Sequence, residues 1–239
     1  MKKVLLLISL CFCIGQIAAQ DADKLRNEGD AAYNAKNYAE ALTKYSEFLK
    51  LTNYEDEARV FTAGLCADQV DKYDEAVKFF DMAIAKNYQT ENAYVGKAKA
   101  LREAEKTEEF AQAVEDGLKA FPSNTNLASM CYSYFMKLGQ AEQKNKDIDN
   151  AVKYYSYVTK LSNNKYKGNA LYSLGSIYYS KGVDILKAAQ ATPATYEAEK
   201  TKADAEFKKA KDYLDQAVAA VPDNASAQKL VDSINDLLK

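Results

Sequence analysis

The chain has 239 residues, of which 48% are hydrophobic and 28% charged, proportions that are ordinary for a globular protein. Its formal net charge of −2 is not that of a nucleic-acid-binding protein, so we expect no nucleic-acid partner. Histidine is absent, which excludes catalytic triads and metal sites built on it. With only 9 glycines and 3 prolines, the composition favours long helices over many short strands.

Residues 1–20 have the pattern of a secretory signal peptide. Two lysines follow the first methionine, and an apolar stretch then runs from Val4 to Ile17. This stretch is shorter than the roughly 20 apolar residues that span a bilayer. We therefore expect cleavage near Ala19 or Gln20, export to the periplasm or beyond the cell, and no membrane span in the mature chain.

Three later segments share one pattern, in which an Ala is followed four residues later by an aromatic residue. The pairs are Ala41 and Tyr45, Ala76 and Phe80, and Ala151 and Tyr155. On a helix this spacing places both side chains on one face. Twelve residues before each Ala stands a glycine, namely Gly29, Gly64 and Gly139. Because Gly inside a helix costs about 1 kcal/mol relative to Ala, its recurrence indicates two closely packed helices.

This pattern resembles the tetratricopeptide repeat, a helical hairpin of about 34 residues. The Gly-type positions are Gly29, Gly64, Ala98, Gly139 and Gly175, and the Ala-type positions are Ala41, Ala76, Phe110, Ala151 and Ala210. The resemblance implies an all-α fold, a right-handed superhelical solenoid of about five hairpins plus a C-terminal capping helix. We expect this solenoid over residues 21–239, with repeats at about 22–55, 57–90, 91–124, 125–165 and 168–222 and the capping helix at 224–238.

The fifth repeat carries an insertion over residues 183–205, because Ala210 lies far beyond the usual twelve residues after Gly175. Ala, Lys and Glu dominate this insertion, and Pro193 interrupts it. We expect two lengthened helices that meet at a proline-containing turn. Their surface near residues 183–208 is a candidate for homodimer formation.

Two cysteines, Cys66 and Cys131, remain outside the signal segment. The repeat register puts them on first helices two repeats apart, whereas a disulfide needs Cα atoms within about 7 Å. We therefore expect two buried free thiols. Neither lies near an activating base, so no catalytic role is expected for them.

In the tetratricopeptide family the first helices line a concave groove that holds a peptide or protein segment. Carried over position by position, the resemblance implies these groove residues: Arg26, Asp30, Tyr33 and Asn34; Phe61, Leu65, Asp68 and Gln69; Val95, Lys99 and Arg102; Met136, Gln140, Gln143 and Lys144; Tyr172, Ser176, Tyr179 and Ser180. One subgroup clamps C-terminal carboxylates of chaperones through an Asn at the position of Asp30. A carboxylate there would repel the ligand, so we exclude that subgroup.

Some of these side chains have a second interpretation. Phe61, Leu65 and Tyr172 fit the core as well as the groove. Tyrosine suits a binding surface because it gives a large contact area at small entropic cost. Among the 18 tyrosines we expect Tyr33, Tyr172 and Tyr179 at the binding surface. Two others, Tyr155 and Tyr178, fall at signature positions and should pack between helices.

No catalytic or phosphate-binding motif occurs in the sequence, so we expect neither an enzyme nor a cofactor or metal site. The leading interpretation is a protein–protein interaction scaffold or adaptor in the bacterial cell envelope, with a partner segment on its concave face. One alternative is a glycan or small-molecule binding protein on the same repeats, which would need a closed pocket lined with tyrosines. Another is an accessory to outer-membrane protein assembly.

Overall fold

The computed structural model describes residues 20–190 and 193–239, and these residues fold entirely into helices and their connections. The helices are α1 (described over 20–34), α2 (Tyr38–Leu51), α3 (Glu57–Gln69), α4 (Tyr73–Ala85), α5 (Thr90–Glu103), α6 (Thr107–Ala120), α7 (Thr125–Asn145), α8 (Ile148–Thr159), α9 (Asn164–Gln190), α10 (Tyr196–Ala220) and α11 (Ala225–Leu237). The 3-10 turn Pro193–Thr195 precedes α10. The all-α prediction is confirmed for this part of the chain. The signal-peptide prediction concerns residues 1–20, and 1–19 lie outside the described part.

Contacts divide the chain into two compact units, with the boundary inside α7. The N-terminal unit ends at Leu127, and the C-terminal unit begins at Ala128 and runs to Lys239. Consecutive helices pack together from α2 to α6 in the first unit and from α8 to α11 in the second. Contact between neighbours in sequence is the packing expected of stacked helical hairpins.

Many helices begin at an Asn or Asp that caps the first turn. In each case the side-chain oxygen accepts a hydrogen bond from the backbone N–H three residues later, which satisfies one of the unpaired donors of that turn. These caps are Asn37, Asp56, Asn124, Asp147, Asn163 and Asn224. Asn124 is also buried, and its amide donates to Glu91 at 2.8 Å, which ties the start of α7 to α5.

Glycines on first helices let aromatic rings of second helices lie directly against the backbone. A Cβ atom added at Gly139 would lie 2.5 Å from the ring of Tyr155, closer than real contacts allow. A Cβ atom added at Gly29 would lie 2.8 Å from the ring of Tyr45, and one added at Gly64 would lie 3.0 Å from the ring of Phe80. All three rings are buried. The predicted close approach is confirmed, and the glycine meets the aromatic ring that follows the signature Ala by four residues.

The fifth hairpin consists of the two long helices α9 and α10, with 27 and 25 residues. Gly175 packs against Leu214, and Gly182 packs against the ring of Phe207, so the close approach continues into the extension. Two lengthened helices were expected here and are found. Of the proline-containing turn between them, residues 191–192 lie outside the described part.

Helix α11 follows Asn224 and packs against α10. Its buried face consists of Ala227, Val231 and Ile234, which join the apolar cluster of the C-terminal unit. These side chains recur at intervals of three and four residues and therefore lie on one face of the helix. Its other face remains exposed, as in the terminal helix of a repeat array.

Both remaining cysteines, Cys66 and Cys131, are buried and free, as predicted. Burial raises the pKa of each thiol to about 12, so both are protonated at neutral pH. Across the two described ranges, none of the helices has the length and apolarity needed to cross a bilayer.

Candidate functional site

First helices of the N-terminal unit are joined by two salt bridges. Arg59 of α3 binds Asp30 of α1, with Nε donating to Oδ1 at 3.2 Å and Nη2 to Oδ2 at 2.6 Å. Lys99 of α5 binds Asp68 of α3 at 2.6 Å. We call the side of α1, α3 and α5 that carries these four residues the first-helix face. Three of the four, Asp30, Asp68 and Lys99, were predicted groove residues.

An open pocket of about 300 Å³ lies between α1 and α3 on this face. Three predicted groove residues contribute to it, and helices α2 and α3 supply the rest. Its lining consists of Asp30, Tyr33, Asn34, Tyr45, Ala58, Arg59 and Thr62. Its volume is sufficient to accept an amino-acid side chain.

Asp30 lines the pocket and accepts three hydrogen bonds. Besides the two from Arg59, the hydroxyl of Tyr45 donates to Oδ1 at 2.9 Å. Burial by itself raises the pKa of Asp30, but the hydrogen bonds from Arg59 and Tyr45 outweigh it and hold the pKa below its ordinary value. The carboxylate is therefore ionised at neutral pH, and the guanidinium of Arg59 compensates its charge.

The partners of Asp30 are held in fixed protonation states. Its hydrogen bond to Arg59 raises the pKa of that guanidinium, which stays charged. Burial and the hydrogen bond to Asp30 raise the pKa of Tyr45, whose ring is almost fully buried beneath the pocket. Tyr45 consequently remains a hydrogen-bond donor over the whole physiological range, and the three side chains form a preorganised wall.

Besides the three side chains of this wall, Asn34 and Tyr33 contribute polar groups to the pocket. Asn34 is exposed, and within the described part of the chain its amide makes no hydrogen bond. The half-buried ring of Tyr33 meets Tyr38 edge-to-face, with ring centroids 5.9 Å apart. Burial raises the pKa of Tyr33, so its hydroxyl is neutral. The pocket therefore presents one amide, one neutral hydroxyl and one aromatic edge.

The second salt bridge contains a buried carboxylate. The side chain of Asp68 is 7% exposed and that of Lys99 is 44% exposed. Oδ1 of Asp68 is buried and has no hydrogen-bond partner among the described residues, so the ammonium on Oδ2 is its principal stabilisation. Because a buried charge needs a counter-charge, the Asp68–Lys99 pair stabilises the packing of α3 against α5 as well as forming part of the first-helix face.

The other predicted groove residues of the N-terminal unit divide between core and surface. Phe61 packs edge-to-face against Phe80 and Tyr88, and Leu65 packs against the same apolar cluster, which favours the core interpretation of both. The remaining four lie as follows: Arg26 pairs with Asp23 at 3.0 Å, Arg102 pairs with Glu103 at 2.6 Å, Gln69 is exposed and Val95 is half-buried.

In the C-terminal unit the structure corrects one assignment on α7. Met136 is only 9% exposed and belongs to the core, because a flexible apolar side chain gains by packing inward. Gln140 and Lys144 are exposed. Gln143 is exposed too, but its carbonyl oxygen accepts a hydrogen bond from Tyr155 at 3.2 Å.

On α9, much of the tyrosine surface that was predicted to bind a partner is buried by packing within the C-terminal unit. Tyr172 and Tyr179 are half-buried against the C-terminal cluster, and the ring of Tyr179 lies 5.9 Å from that of Phe207. Ser176 has a buried hydroxyl with no hydrogen-bond partner in the described ranges, while Ser180 is exposed. A partner could reach only the outer edges of both tyrosines.

Tyr155 and Tyr178 were expected between helices, and both are buried. The ring of Tyr178 stacks on Tyr213 with centroids 5.6 Å apart. The ammonium of Lys209 lies 4.0 Å from the centroid of the Tyr178 ring. These contacts are structural and bring the two long helices together.

The extension over residues 183–208 was a candidate dimer surface. Its larger apolar side chains, Val183, Ile185 and Leu186, pack partly against the cluster of their own unit. Glu206 on α10 pairs with Lys181 on α9 at 2.6 Å, which closes the hairpin on itself. Homodimer formation stays a prediction.

Residues of the pocket that the sequence did not reveal are Tyr45, Ala58, Arg59 and Thr62. The family positions were carried over for three or four places on each first helix, and Arg59 lies two residues before Phe61, the first of those places on α3. A usable signal was present, because Arg59 is a cation nearly one repeat after Asp30, where neighbouring first helices meet. Tyr45 was correctly placed between helices, but the direction of its hydroxyl depends on tertiary packing.

Comparison with known proteins agrees with this architecture. The tetratricopeptide repeat family model matches residues 26–92. A solved TPR repeats protein from Bacteroides fragilis NCTC 9343 is 41% identical, with a TM-score of 0.82 over 90% of this chain and 98% of that one. No curated protein matches the sequence.

Two further solved structures are more distant. The TPR domain of P58(IPK) is 13% identical, with a TM-score of 0.46 over 93% of this chain and 67% of that one. YrrB, described as a TPR protein with an unusual peptide-binding site, is 18% identical, with a TM-score of 0.40 over 86% of this chain and 89% of that one. The family assignment depends on the Bacteroides fragilis protein, whose identity extends over nearly the whole of both chains. This chain belongs to the tetratricopeptide repeat family.

Proposed function

We propose that this protein is an exported interaction scaffold that holds a segment of a partner protein on the first-helix face of its N-terminal unit. The observation that carries the proposal is the open pocket beside Tyr33 and Asn34. Repeat proteins of this kind stack helical hairpins and present continuous surfaces for binding. Since the fold alone does not determine a function, we base the proposal on the chemical groups that this pocket presents.

The pocket combines a rigid wall with adaptable polar groups. Arg59, Asp30 and Tyr45 fix one another through hydrogen bonds of 2.6 to 3.2 Å, so the wall needs no rearrangement when a partner arrives. Asn34 offers amide donors and an acceptor, and Tyr33 offers apolar area with a polar tip. Preorganised surfaces of this type bind with a smaller entropic cost. We propose binding without catalysis, because the charged groups of the pocket are engaged with each other.

Export is the part of the proposal that depends on residues 1–20. Their charged start, apolar middle and small residues before the cleavage site support it. N-terminal sequencing of the protein recovered from a periplasmic or secreted fraction tests it. The sequence should begin at Gln20 or Asp21. A product that retains the first methionine in the cytoplasmic fraction would contradict export.

Site-specific photocrosslinking in the native host tests the binding face. A photoreactive phenylalanine derivative at Asn34 should capture a partner protein, because this side chain borders the pocket. The same derivative at Lys78, which is exposed on the second helix α4, is the matched control and should capture much less. Equal adducts from both positions, or no adduct from Asn34, would contradict the proposal.

A further inference from the structure

We infer that the segment bound on the first-helix face is an uncharged, internal stretch of polypeptide, recognised through its backbone amides rather than through charge complementarity. This inference rests on the proposed function and specifies the chemistry of the partner at the same pocket. It follows from how the charges of this face are arranged.

Each charged residue predicted to line this face already has a salt-bridge partner. The pairs are Asp30 with Arg59 at 2.6 Å, Asp68 with Lys99 at 2.6 Å, Arg26 with Asp23 at 3.0 Å and Arg102 with Glu103 at 2.6 Å. A compensated pair produces only a weak field at a distance, and salt screens what remains. The first-helix face therefore does not attract a charged segment strongly.

A charged partner would also have to break these pairs. Arg59 engages both oxygens of Asp30, an arrangement stronger than a single hydrogen bond. A partner carboxylate that displaced Asp30 from Arg59 would leave Asp30 with the single hydrogen bond from Tyr45. A carboxylate that took Lys99 would leave the buried Asp68 uncompensated, which costs more than an exposed ion pair returns. Charged groups on the partner are therefore disfavoured at both places.

The groups that stay available match a peptide backbone. Asn34 presents an amide that both donates and accepts, and each peptide unit supplies one N–H and one C=O in return. Tyr33 presents a neutral hydroxyl and a ring edge beside it. The pocket of about 300 Å³ accepts one uncharged side chain. A chain terminus would bring its own charge, so the segment is internal.

Three octapeptide libraries, acetylated and amidated at their ends, test this inference. One contains only uncharged residues, the second adds Asp and Glu at alternate positions, and the third adds Lys and Arg there. They are selected on the chain from Asp21 to Lys239 and on its Asn34→Ala variant, and the enriched peptides are then measured by calorimetry. Because Asn34 is exposed, its replacement by Ala should leave the fold intact. Circular dichroism checks that the Asn34→Ala variant is folded.

We expect enrichment from the uncharged library, with binding about tenfold weaker to Asn34→Ala because hydrogen bonds to the backbone are lost. The dissociation constant should change less than about twofold between 50 and 500 mM NaCl, since no ion pair is involved. Enrichment of a charged library, with binding that depends on Asn34 and weakens strongly with salt, would overturn the inference and leave peptide binding at this face intact. Absence of Asn34-dependent binding from all three libraries would overturn both.

Discussion

Arg59 donates two hydrogen bonds to the carboxylate of Asp30. This one charged pair joins neighbouring hairpins and also forms part of the wall of the pocket. The two residues belong to α3 and α1, and Tyr45 of α2 adds a third hydrogen bond to the same carboxylate. Three helices thereby meet at one acid group. Stability of the first two hairpins and the shape of the pocket are consequently coupled.

Replacing Arg59 tests this coupling. In Arg59→Met the guanidinium is lost, and Asp30 keeps only the hydroxyl of Tyr45. We expect the free energy of unfolding to fall by about 1–2 kcal/mol, the range for a partly exposed charge-assisted hydrogen bond. Urea denaturation measures it. Arg102→Met is the control, because that arginine pairs with the adjacent Glu103 on its own helix, and its loss should stay within about 0.5 kcal/mol. Equal losses would contradict a special role for the Asp30 pair.

The depressed pKa of Asp30 predicts a pH dependence. In the acid range the unfolded chain protonates Asp30 before the folded chain does, so the unfolded state binds more protons and stability falls as the pH falls. The contribution is present above the ordinary carboxylate pKa of about 4 and is lost through the lower folded value. Between pH 5 and 3 the wild type should lose more stability than Asp30→Asn. Parallel stability curves for the two proteins would show that Asp30 does not titrate in this way.

The buried salt bridge on the same face makes a different prediction. Lys99→Met leaves the carboxylate of Asp68 without its counter-charge and should lower the unfolding free energy by about 2–3 kcal/mol. Because Lys99 is itself half-exposed, this is below the loss for a fully buried pair. Adding Asp68→Leu should restore most of the stability, since the uncompensated charge is then removed. If the double variant is as unstable as Lys99→Met, the loss comes from packing and not from the unpaired charge.

Close approach at Gly139 predicts a specific suppressor. Gly139→Ala places a methyl group 2.5 Å from Tyr155, and we expect a net loss of about 1–2 kcal/mol after the better helix propensity of Ala is included. Tyr155→Leu in the same chain makes room for the methyl group. In thermal unfolding, Gly139→Ala should therefore cost less in the Tyr155→Leu background than alone. Additive losses would mean that the two sites do not touch.

The turn residue Glu105 is held in the left-handed conformation, with φ at 58°. Lys36, Asp71 and Lys146 occupy the corresponding turns of other hairpins, with φ between 58° and 64°. Left-handed backbone costs a non-glycine residue about 1–2 kcal/mol. Gly avoids this cost but loses more conformational entropy on folding, which offsets part of the gain. Glu105→Gly should therefore raise the unfolding free energy by about 0.5–1 kcal/mol. Ala100→Gly, inside α5, is the control and should lower it; a destabilised Glu105→Gly would contradict the strain.

Local spacing was enough to predict the hairpins, including those with weak signatures. In the third repeat Ala98 replaces Gly and Phe110 replaces Ala, yet α5 and α6 form a hairpin in which both side chains are fully buried. Small and apolar residues satisfy the same packing requirement as the signature residues. The starts of α7 and α9 follow from the same spacing and from the capping residues Asn124 and Asn163.

Side-chain direction was harder to predict than helix position. Met136 and Arg26 occupy corresponding places on first helices, each three residues before the signature glycine, but Met136 packs into the core because it is apolar and flexible, whereas Arg26 forms a salt bridge with Asp23. Arg59 was missed for the same reason, since its role depends on where α3 lies against α1. Repeat periodicity fixes which face a residue is on, and tertiary contacts decide what that face presents.

The most direct measurement is the dissociation constant of the partner captured from Asn34, compared between wild type and the double variant Tyr33→Ala/Asn34→Ala. Both side chains border the pocket and neither forms part of the Asp30 wall. Because the ring of Tyr33 also packs partly against the core, circular dichroism checks that the double variant is folded. We predict binding weaker by at least about tenfold, as for truncated residues at the centre of an interface. The variant Lys78→Ala/Gln112→Ala, on exposed positions of α4 and α6, should bind as the wild type does. A Tyr33/Asn34 variant that binds within about twofold of wild type would contradict binding on the first-helix face.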